Sequence, residues 1–385
     1  MKKMIGKILS YVLVAALASG VSFWIADRQN TPEWQKLHQL EALLEEKFIG
    51  GTDSVALTDG AADGMVAALG DRWSYYVPAS EYAAFEEQKN NAYVGVGMTI
   101  QLAEEDTGIL VIQVTEGGPA EEAGVLAGDL LIAVEGQDIR GWTTDAVRDV
   151  VKGEENTYVQ LTFLREGEQI TLSVQRRIVK TPVATGMMLE GNVGLVTIYN
   201  FDARCAEESI AAMESLFEQG AEKLVFDVRY NPGGYADELV KVLDYILPEG
   251  ELFRTVNYAG QENVDMSDEK CLTGIPMAVL VNGDSYSAAE FFAAALREYG
   301  YAVVVGEQTV GKGYFQRTYE LKDGSAVGLS VGKYFTPNGV SLAEAGGLTP
   351  DVEVSVTDEE AFGIYAGTLD PMADPQVLAA MEALN

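Results

Sequence analysis

The strongest constraint on the fold is an alternation of continuous apolar runs with amphipathic helical patterns in the second half of the chain. Strands are predicted at 193–199, 224–228, 277–281 and 302–305, and helices at 207–218, 237–247 and 287–299. Strands that are apolar along their whole length and are joined by helices are typical of a parallel sheet covered on both faces. This region therefore predicts an α/β core built from βαβ units.

The residues before this core have a different pattern. Short β-rich runs are predicted at 94–100, 109–114, 130–134, 158–165 and 169–175, with brief helices at 120–123 and 144–151. Glycine-rich turns separate these runs, which indicates a compact β-rich module. The predicted class is a mixed α+β fold: a helical region at 31–90, the β-rich module at 91–178, the core at 179–357 and a helical tail at 358–385, with its helix at 374–384.

Residues 1–30 are interpreted as a membrane segment that lies outside the fold. Three lysines within the first seven residues precede a run at 8–26 that contains no charged residue. Positive charge before such a run favours an N-terminus that stays inside the cell. The small residues at 16–18 leave a cleaved signal peptide open, but the apolar run continues beyond them, which favours a retained anchor. Under either alternative, residues 31–385 lie outside the cytoplasm.

Composition excludes several classes of function. Residues 31–385 contain 22 Lys and Arg against 58 Asp and Glu, a net charge of −36, so the chain would repel nucleic acid. Cys205 and Cys271 are too few for a disulfide framework or a structural zinc site and are interpreted as unpaired buried thiols. His38 is the single histidine, so a Ser-His-Asp triad or a His-based metal site would have to recruit it. No metal or cofactor is implied, and hydrolytic chemistry would need another base.

Glycine-bearing turns after two of the predicted strands mark a candidate site. Ligands bind parallel sheets at the carboxyl ends of their strands, where the turns at 231–234 and 282–284 both fall. Ser287 stands in the first turn of the next helix, where the helix dipole and the N–H of Ala288 favour developing negative charge. Taken alone, this position favours a helix-capping serine over a nucleophile.

A glycine-flanked lysine gives that serine a candidate base. Lys312 lies between Gly311 and Gly313, and Gln316 follows four residues after the lysine. A lysine amine in an apolar pocket has a lowered pKa and can take a proton from a hydroxyl. The four-residue spacing puts Lys312 and Gln316 on one face of a strand or a helix, so Gln316 can orient the amine. Without Ser287, Lys312 would be interpreted as an ordinary loop cation.

The turn that opens the β-rich module is a candidate peptide-binding site. Its glycines let backbone N–H groups converge on an anion, and the following strand offers an open edge to a peptide. The candidate peptide-binding residues are Val94, Gly95, Val96 and Gly97. By itself such a turn is only a bend. Together with the glycine-rich segments at 117–124 and 128–136 and the helix at 145–151, it resembles a PDZ domain over nearly its whole length.

With its serine turn, its glycine-flanked lysine and its PDZ-like module, the chain resembles the carboxyl-terminal processing (tail-specific) proteases. These are serine peptidases with a Ser-Lys dyad and an embedded PDZ domain. The motifs that carry the resemblance lie at 227–234, 285–290, 311–316, 334–339 and 347–352. Residue by residue, the resemblance places the nucleophile on Ser287, the base on Lys312 and the orienting side chain on Gln316. It places the oxyanion donors on backbone N–H groups of Ala288 and of the Gly233–Gly234 turn.

The match departs from the family pattern around the serine. Where the family usually has Gly-Ser-Ala-Ser-Ala-Ser-Glu, this chain has Gly283-Asp284-Ser285-Tyr286-Ser287-Ala288-Ala289-Glu290. Asp284 and Tyr286 add charge and bulk beside the site, which bears on cleavage preference, while Ser287 keeps its place before the helix. Ser285 is the lesser candidate for the nucleophile.

The expected function is that of an exported, membrane-anchored endopeptidase that recognises the C-termini of protein substrates through its PDZ domain. The resemblance implies hydrolysis of peptide bonds through an acyl-enzyme on Ser287. The alternative is a catalytically silent PDZ scaffold that only holds the C-termini of its partners, although a pure binder would have no need for an amine opposite a hydroxyl. Protein or peptide tails are the expected partners, and a homo-oligomer is left open.

Overall fold

The computed structural model describes residues 31–103 and 107–385. The membrane segment predicted at 1–30 lies outside these ranges. Within them, no helix combines the length and the apolar character needed to cross a bilayer. The chain divides into one compact unit that ends at Tyr76 and a second that begins at Val77.

The first unit is helical, as its sequence predicts. It contains α1 (Pro32–Lys47) and α2 (Ser54–Ala67), and β1 (Tyr75–Val77) follows. Helix α2 begins at Ser54 because the Asp53 carboxylate caps it, accepting a hydrogen bond from Val55 N–H at 2.9 Å. Neither helix has a buried residue, so the apolar side chains of this unit remain accessible to solvent.

The second unit begins with α3 (Ala79–Lys89) and the β-rich module. The elements of the module are β2 (Ala92–Gly95), β3 (Met98–Leu102), β4 (Ile109–Val114), α4 (Pro119–Glu122), β5 (Leu130–Val134), β6 (Gln137–Asp138), α5 (Thr144–Val151), β7 (Tyr158–Arg165), β8 (Glu168–Gln175) and β9 (Arg177–Lys180). Strands β3, β4, β5, β7 and β8 pair in that order, all antiparallel, while β6 pairs with β5 and β2 with β9. The predicted strands are confirmed, except that the first is interrupted where Gly97 takes a φ of 76°.

Alternate residues of these strands form the core of the module. Ile109 and Val111 of β4 and Leu161 and Phe163 of β7 are fully buried. A spacing of two residues places such side chains on the same face of a sheet. Helix α5 contributes Val147 to the same cluster, so this helix and the sheet share one core.

The α/β core follows the module. Its elements are β10 (Ala184–Leu189), β11 (Val193–Ile198), α6 (Cys205–Glu218), β12 (Lys223–Asp227), α7 (Ala236–Ile246), β13 (Gly250–Asn257), β14 (Glu262–Ser267), β15 (Met277–Val281), α8 (Ala288–Glu298), β16 (Ala302–Gly306), β17 (Tyr314–Glu320), β18 (Ala326–Phe335), α9 (Leu342–Ala345) and β19 (Val352–Glu353). Strands β10, β11, β12, β15, β16 and β19 form one sheet in that order, parallel except for β10. The predicted βαβ core is confirmed. Strand β13 also pairs with β14 and β18, and β17 with β18, in a second sheet that the sequence did not indicate.

The parallel sheet brings several turns to one edge. Its register pairs Asp227, the last residue of β12, with Leu280 of β15, and Val281 with Gly306 of β16. The carboxyl ends of these three strands therefore lie side by side. The segments that leave them are 228–235, 282–287 and 307–313. All of the residues predicted for the nucleophile, the base and the oxyanion turn lie in these segments or directly after them.

The tail contains α10 (Asp358–Tyr365), a 3₁₀ helix (Pro371–Ala373) and α11 (Pro375–Ala383), which confirms the predicted last helix. A buried ion network attaches α11 to the core. Arg229 donates to both carboxylate oxygens of Asp227 and, at 2.7 Å, to Asp374 Oδ2. This network fixes the strand end from which the glycine turn departs.

Candidate active site

Ser287 joins β15 to α8 in a backbone conformation that residues other than glycine rarely adopt. Its φ is 59° and its ψ is −125°, and the residue is buried. Such a conformation costs about 1–3 kcal/mol and persists where the surrounding structure imposes it, as at the strained strand-to-helix turns of nucleophilic serines. The turn places Ser287 at the N-terminus of α8, beside the Ala288 N–H that has no acceptor within the helix.

The carboxylate of Glu290 connects this turn to the segment of Lys312. Glu290 Oε2 accepts from the backbone N–H groups of Ser287 and Lys312, each at 2.9 Å. Glu290 Oε1 accepts from Gly311 N–H at 2.7 Å and from the Thr309 hydroxyl. Burial raises the pKa of Glu290, while these four donors oppose the rise. One buried carboxylate thus fixes the backbone of both residues predicted for the dyad.

The Ser287 hydroxyl contacts a tyrosine of the second sheet. Tyr334, near the end of β18, has its Oη 2.7 Å from Ser287 Oγ. Burial raises the pKa of Tyr334, although the hydrogen bond with Ser287 opposes the rise. The phenol is therefore neutral and carries its proton at physiological pH.

Lys312 lies two residues before β17, and Gln316 is the third residue of this strand. Lys312 Nζ is 5.8 Å from the centre of the Tyr286 ring, within the range of a cation–π contact. Gln316 donates from Nε2 to Ser330 Oγ at 3.0 Å and to the Tyr314 carbonyl at 3.1 Å. These bonds hold the Gln316 amide against its neighbours in the second sheet. Its orienting role toward Lys312 stays a prediction.

Ser285, the lesser candidate for the nucleophile, has a different position. It is fully buried, and its hydroxyl donates to the Val228 carbonyl at 2.7 Å. Its oxygen also accepts from Asn282 N–H at 3.0 Å. Because its single proton bonds a main-chain carbonyl of the neighbouring segment, Ser285 is a structural link between two turns, and Ser287 remains the candidate nucleophile.

The Gly233–Gly234 turn approaches Ser287 closely. A Cβ at Gly233 would lie 2.7 Å from Ser287 Cβ and 2.9 Å from Ala288 N, so this approach requires glycine. The Gly233 N–H donates to Asn231 Oδ1 at 2.8 Å. Gly233 and Ala288 therefore adjoin the candidate nucleophile, as an oxyanion site needs, with the Gly233 N–H engaged by Asn231.

A separate groove lies between β3 and α5 of the β-rich module. It has a volume of about 400 Å³, and its lining includes Gly95, Val96 and Gly97 together with the apolar side chains of Ile100 and Val151. Three of the four predicted peptide-binding residues thus line one groove. The fourth, Val94, lies in β2 opposite Ile178 of β9.

The histidine and the cysteines occupy other places in the fold. His38 is exposed on α1, 3.6 Å from the Glu41 carboxylate. Both cysteines are free, and Cys205 is buried whereas Cys271 is only half-buried, so the expectation of buried thiols holds for the first alone. Burial raises the pKa of Cys205 to about 12, which keeps the thiol protonated. Among the residues that the structure describes, no cluster of His, Cys, Asp or Glu side chains is arranged to hold a metal ion.

Sequence reasoning missed two residues of the site, Glu290 and Tyr334. A local signal exists for Glu290, because its spacing from Ser287 is that of a capping box, in which the glutamate accepts from the N-cap N–H. Tyr334 opens the motif at 334–339, but nothing in that motif indicates its contact with Ser287, which joins residues 47 positions apart.

A serine on a strained strand-to-helix turn with a glycine turn against it is typical of serine-type peptidases. In this chain the Glu290 carboxylate also accepts from the backbone N–H groups of that serine and of Lys312. Known families agree with this class. Residues 192–354 match peptidase family S41, residues 96–175 match a PDZ domain, and residues 21–80 match the N-terminal domain of the activating protease CtpB.

Individual relatives support the same assignment. The chain is 31% identical over 373 residues to a CtpA-like serine protease of Staphylococcus aureus (strain COL), covering 94% of this chain and 72% of that protein. It is 29% identical over 370 residues to the carboxy-terminal processing protease CtpA of Bacillus subtilis (strain 168), covering 93% and 79%. The chain therefore belongs to the carboxyl-terminal processing proteases of family S41, and it is a serine-type peptidase with a PDZ domain.

A solved structure shows the same fold. An S41 protease of Bacteroides fragilis has a TM-score of 0.50 and 19% sequence identity, covering 76% of this chain and 82% of that one. This likeness concerns the fold. The matches to the families and relatives above confirm the predictions of a PDZ domain, of a carboxyl-terminal processing protease and of a serine-type peptidase.

Proposed function

We propose that the chain hydrolyses peptide bonds of protein substrates through an acyl-enzyme on Ser287, with Lys312 as general base and Gln316 orienting the amine. The observation that carries the proposal is the shared Glu290 oxygen, because it holds the backbones of Ser287 and Lys312 at 2.9 Å from one atom. This arrangement supports a hydroxyl–amine pair that works without histidine.

In the proposed acylation, the Lys312 amine takes the proton of Ser287 while Oγ bonds to the scissile carbonyl carbon and the carbonyl π electrons move onto oxygen. Collapse re-forms the carbonyl and breaks the C–N bond, and the Lys312 ammonium gives the proton to the leaving amine. Water then attacks the acyl carbon, loses a proton to Lys312 and expels Ser287 Oγ, which regains its proton. Because only a neutral amine accepts a proton, activity should rise with pH.

The negative charge on the substrate carbonyl oxygen needs preorganised donors. We assign this role to the N–H of Ala288 and to the Gly233–Gly234 turn. Ala288 N is the first N–H of α8, and it lies 2.9 Å from the point that a Cβ on Gly233 would occupy. Gly233 N–H would exchange its bond to Asn231 Oδ1 for one to the oxyanion.

The groove of the PDZ domain is proposed to select substrates by their C-termini. A free carboxylate would bind the backbone around Gly95 to Gly97, with the peptide added as a strand and its last side chain among the apolar residues of the groove. The net charge of −36 on residues 31–385 should disfavour acidic tails.

The peptidase is further proposed to act outside the cytoplasm, held by its N-terminal segment. The support is the sequence itself, in which lysines precede a long uncharged apolar run. Protease added to intact cells should then digest the core, whereas protection of the core would contradict this topology. A soluble product whose N-terminus lies near Ser19 would indicate cleavage of the segment.

The decisive experiment is incubation of the purified chain with unfolded proteins that carry apolar or charged C-termini. Wild-type protein should cleave the apolar-tailed substrates, and Ser287→Ala and Lys312→Ala should not. Lys322→Ala is the matched control, because Lys322 is an exposed turn cation between β17 and β18. Wild-type rates in Lys312→Ala would refute the base assignment, and binding without any hydrolysis would indicate a PDZ scaffold.

A further inference from the structure

We propose that Tyr334 is a further catalytic residue: its phenol donates a hydrogen bond to Ser287 Oγ and orients the nucleophile so that the serine's own proton faces the base. The inference rests on the proposed function of Ser287. Tyr334 begins the Tyr-Phe-Thr-Pro-Asn-Gly segment at 334–339. The proposed dyad and oxyanion site use no residue of this segment.

The position of the tyrosine ring is fixed on several sides. Its ring centre lies 4.5 Å from that of Phe291 in an edge-on contact, 5.4 Å from that of Phe253, and 6.4 Å from that of Phe315, on which it stacks. The backbone N–H of Tyr334 donates to the Gly313 carbonyl at 3.2 Å, directly beside the proposed base. The residue therefore contacts both halves of the proposed dyad region, one through its side chain and the other through its main chain.

The proton in the bond between the two hydroxyls comes from the tyrosine. Tyr334 is 4% exposed, and in the described part of the chain the hydrogen-bond partner of its hydroxyl is Ser287 Oγ. A buried phenol O–H without an acceptor would lose the free energy of a hydrogen bond. Serine can instead accept with a lone pair and direct its own proton elsewhere. In this arrangement the Ser287 proton is not used in the bond with Tyr334 and can be directed to the Lys312 amine.

This direction of the hydrogen bond suits the proposed reaction. Negative charge develops on Ser287 Oγ when the base removes its proton, and again when water expels Oγ from the acyl-enzyme. A hydrogen bond from a neutral donor becomes charge-assisted at both points and therefore strengthens. Tyr334 keeps its own proton throughout, and the proton that moves is the one exchanged between Ser287 and Lys312.

The test is Tyr334→Phe, which removes one hydroxyl and keeps the ring among its aromatic neighbours. We expect kcat for a peptide substrate to fall by about 10- to 100-fold, as for the loss of a charge-assisted hydrogen bond, with KM unchanged within about twofold. Labelling of Ser287 by a fluorophosphonate should slow by a similar factor. Tyr299→Phe is the matched control, because the Tyr299 hydroxyl donates to the Glu251 carbonyl at 2.9 Å, and this variant should keep the wild-type kcat.

Both rates are measured per folded molecule, with the folded fraction taken from near-ultraviolet circular dichroism, so that unfolding does not imitate lost catalysis. Ser287→Ala separates this inference from the proposed function, which fails if that variant stays active. If Ser287→Ala is inactive while Tyr334→Phe matches Tyr299→Phe or exceeds wild type, the inference about Tyr334 alone is overturned.

Discussion

The backbone N–H groups of Ser287 and Lys312 donate to the same atom, Glu290 Oε2, each at 2.9 Å. The two residues follow β15 and β16, which are neighbours in the parallel sheet. Sheet topology brings the two segments to one edge, and a buried carboxylate then sets their separation. Glu290 is in this sense a positioning residue, since it acts through the two residues whose backbone it holds.

Replacing Glu290 with glutamine should therefore damage both stability and activity. The glutamine NH₂ group would face N–H donors and leave some of them without an acceptor. We expect the free energy of unfolding to fall by about 2–4 kcal/mol and kcat to fall about tenfold or more. Urea denaturation and peptide hydrolysis measure the two effects.

The control for this change is Glu360→Gln at the start of α10. Glu360 Oε2 accepts from Thr357 N–H at 2.7 Å, in the same capping-box geometry but exposed to solvent. Water can satisfy the groups that this substitution releases, so stability and kcat should stay close to wild type. Equal effects of the two substitutions would show that burial and position at the site do not matter.

The strained backbone of Ser287 predicts a difference between two inactive variants. Alanine keeps a Cβ at a φ of 59°, whereas glycine adopts this φ without strain. Ser287→Gly should thus be more stable to urea than Ser287→Ala by about 1 kcal/mol. At Ser215, within α6, the order should reverse, because glycine is the weaker helix former. Equal stability of both Ser287 variants would argue against strain at the nucleophile.

The two residues of the proposed dyad should behave as one unit. Ser287→Ala and Lys312→Ala should each lower kcat by about 10⁴-fold or more, and the double variant should be no slower than either single one. Gln316→Ala should cost less, about 10- to 100-fold, because the amide only orients the amine. Single-turnover hydrolysis measures these rates. Additive losses in the double variant would mean that the two side chains act in different steps.

Sequence patterns predicted the parallel sheet and the PDZ module closely because both depend on local periodicity. Strand β15 lies at the predicted residues, and the predicted helix at 287–299 differs from α8 by one residue at each end. The second sheet was missed since β13, β14, β17 and β18 are partly exposed and lack a continuous apolar run.

The candidate site was likewise predictable from the sequence only in part. Ser287 and Lys312 could be found because each stands in a turn with a recognisable glycine pattern. The contact of Tyr334 with Ser287 could not be found, because it depends on how the second sheet packs against α8. The orientation of Gln316 is likewise set by Ser330 of the neighbouring strand, which the spacing from Lys312 does not reveal.

The PDZ domain should become less stable in acid through Asp129. Burial opposes ionisation of this carboxyl, but hydrogen bonds from Arg165, at 2.6 Å to each oxygen, and from Leu126 N–H outweigh it and hold the pKa of Asp129 below its usual range. A lowered pKa in the folded state gives stability that is present above the unfolded pKa and is lost as pH falls through the folded one.

At pH 7, Asp129→Asn should therefore cost about 1–3 kcal/mol, and its difference from wild type should shrink as the pH falls below about 4. Urea denaturation of both proteins between neutral and acidic pH measures this. Asp138→Asn is the control, since the Asp138–Arg140 pair is exposed and should contribute little at any pH. A difference at Asp129 that is independent of pH would contradict the ionic explanation.

Gly97 should be required for the recognition of substrate tails by the PDZ domain. This residue lines the groove and has a φ of 76°, and a Cβ there would lie 3.3 Å from Thr115 Cβ. Gly97→Val should weaken binding of a free-acid peptide with an apolar C-terminus by about tenfold or more, because the backbone can no longer approach the carboxylate. Gly136→Val imposes the same strain at a φ of 75° in open space and should leave binding unchanged.

Amidation of the peptide C-terminus should weaken binding to the wild-type protein as Gly97→Val does, since it removes the anion. Calorimetric titration measures all of these affinities. If free-acid and amidated peptides bind and are cleaved equally, the PDZ domain does not recognise C-termini, and the enzyme is a general Ser-Lys endopeptidase.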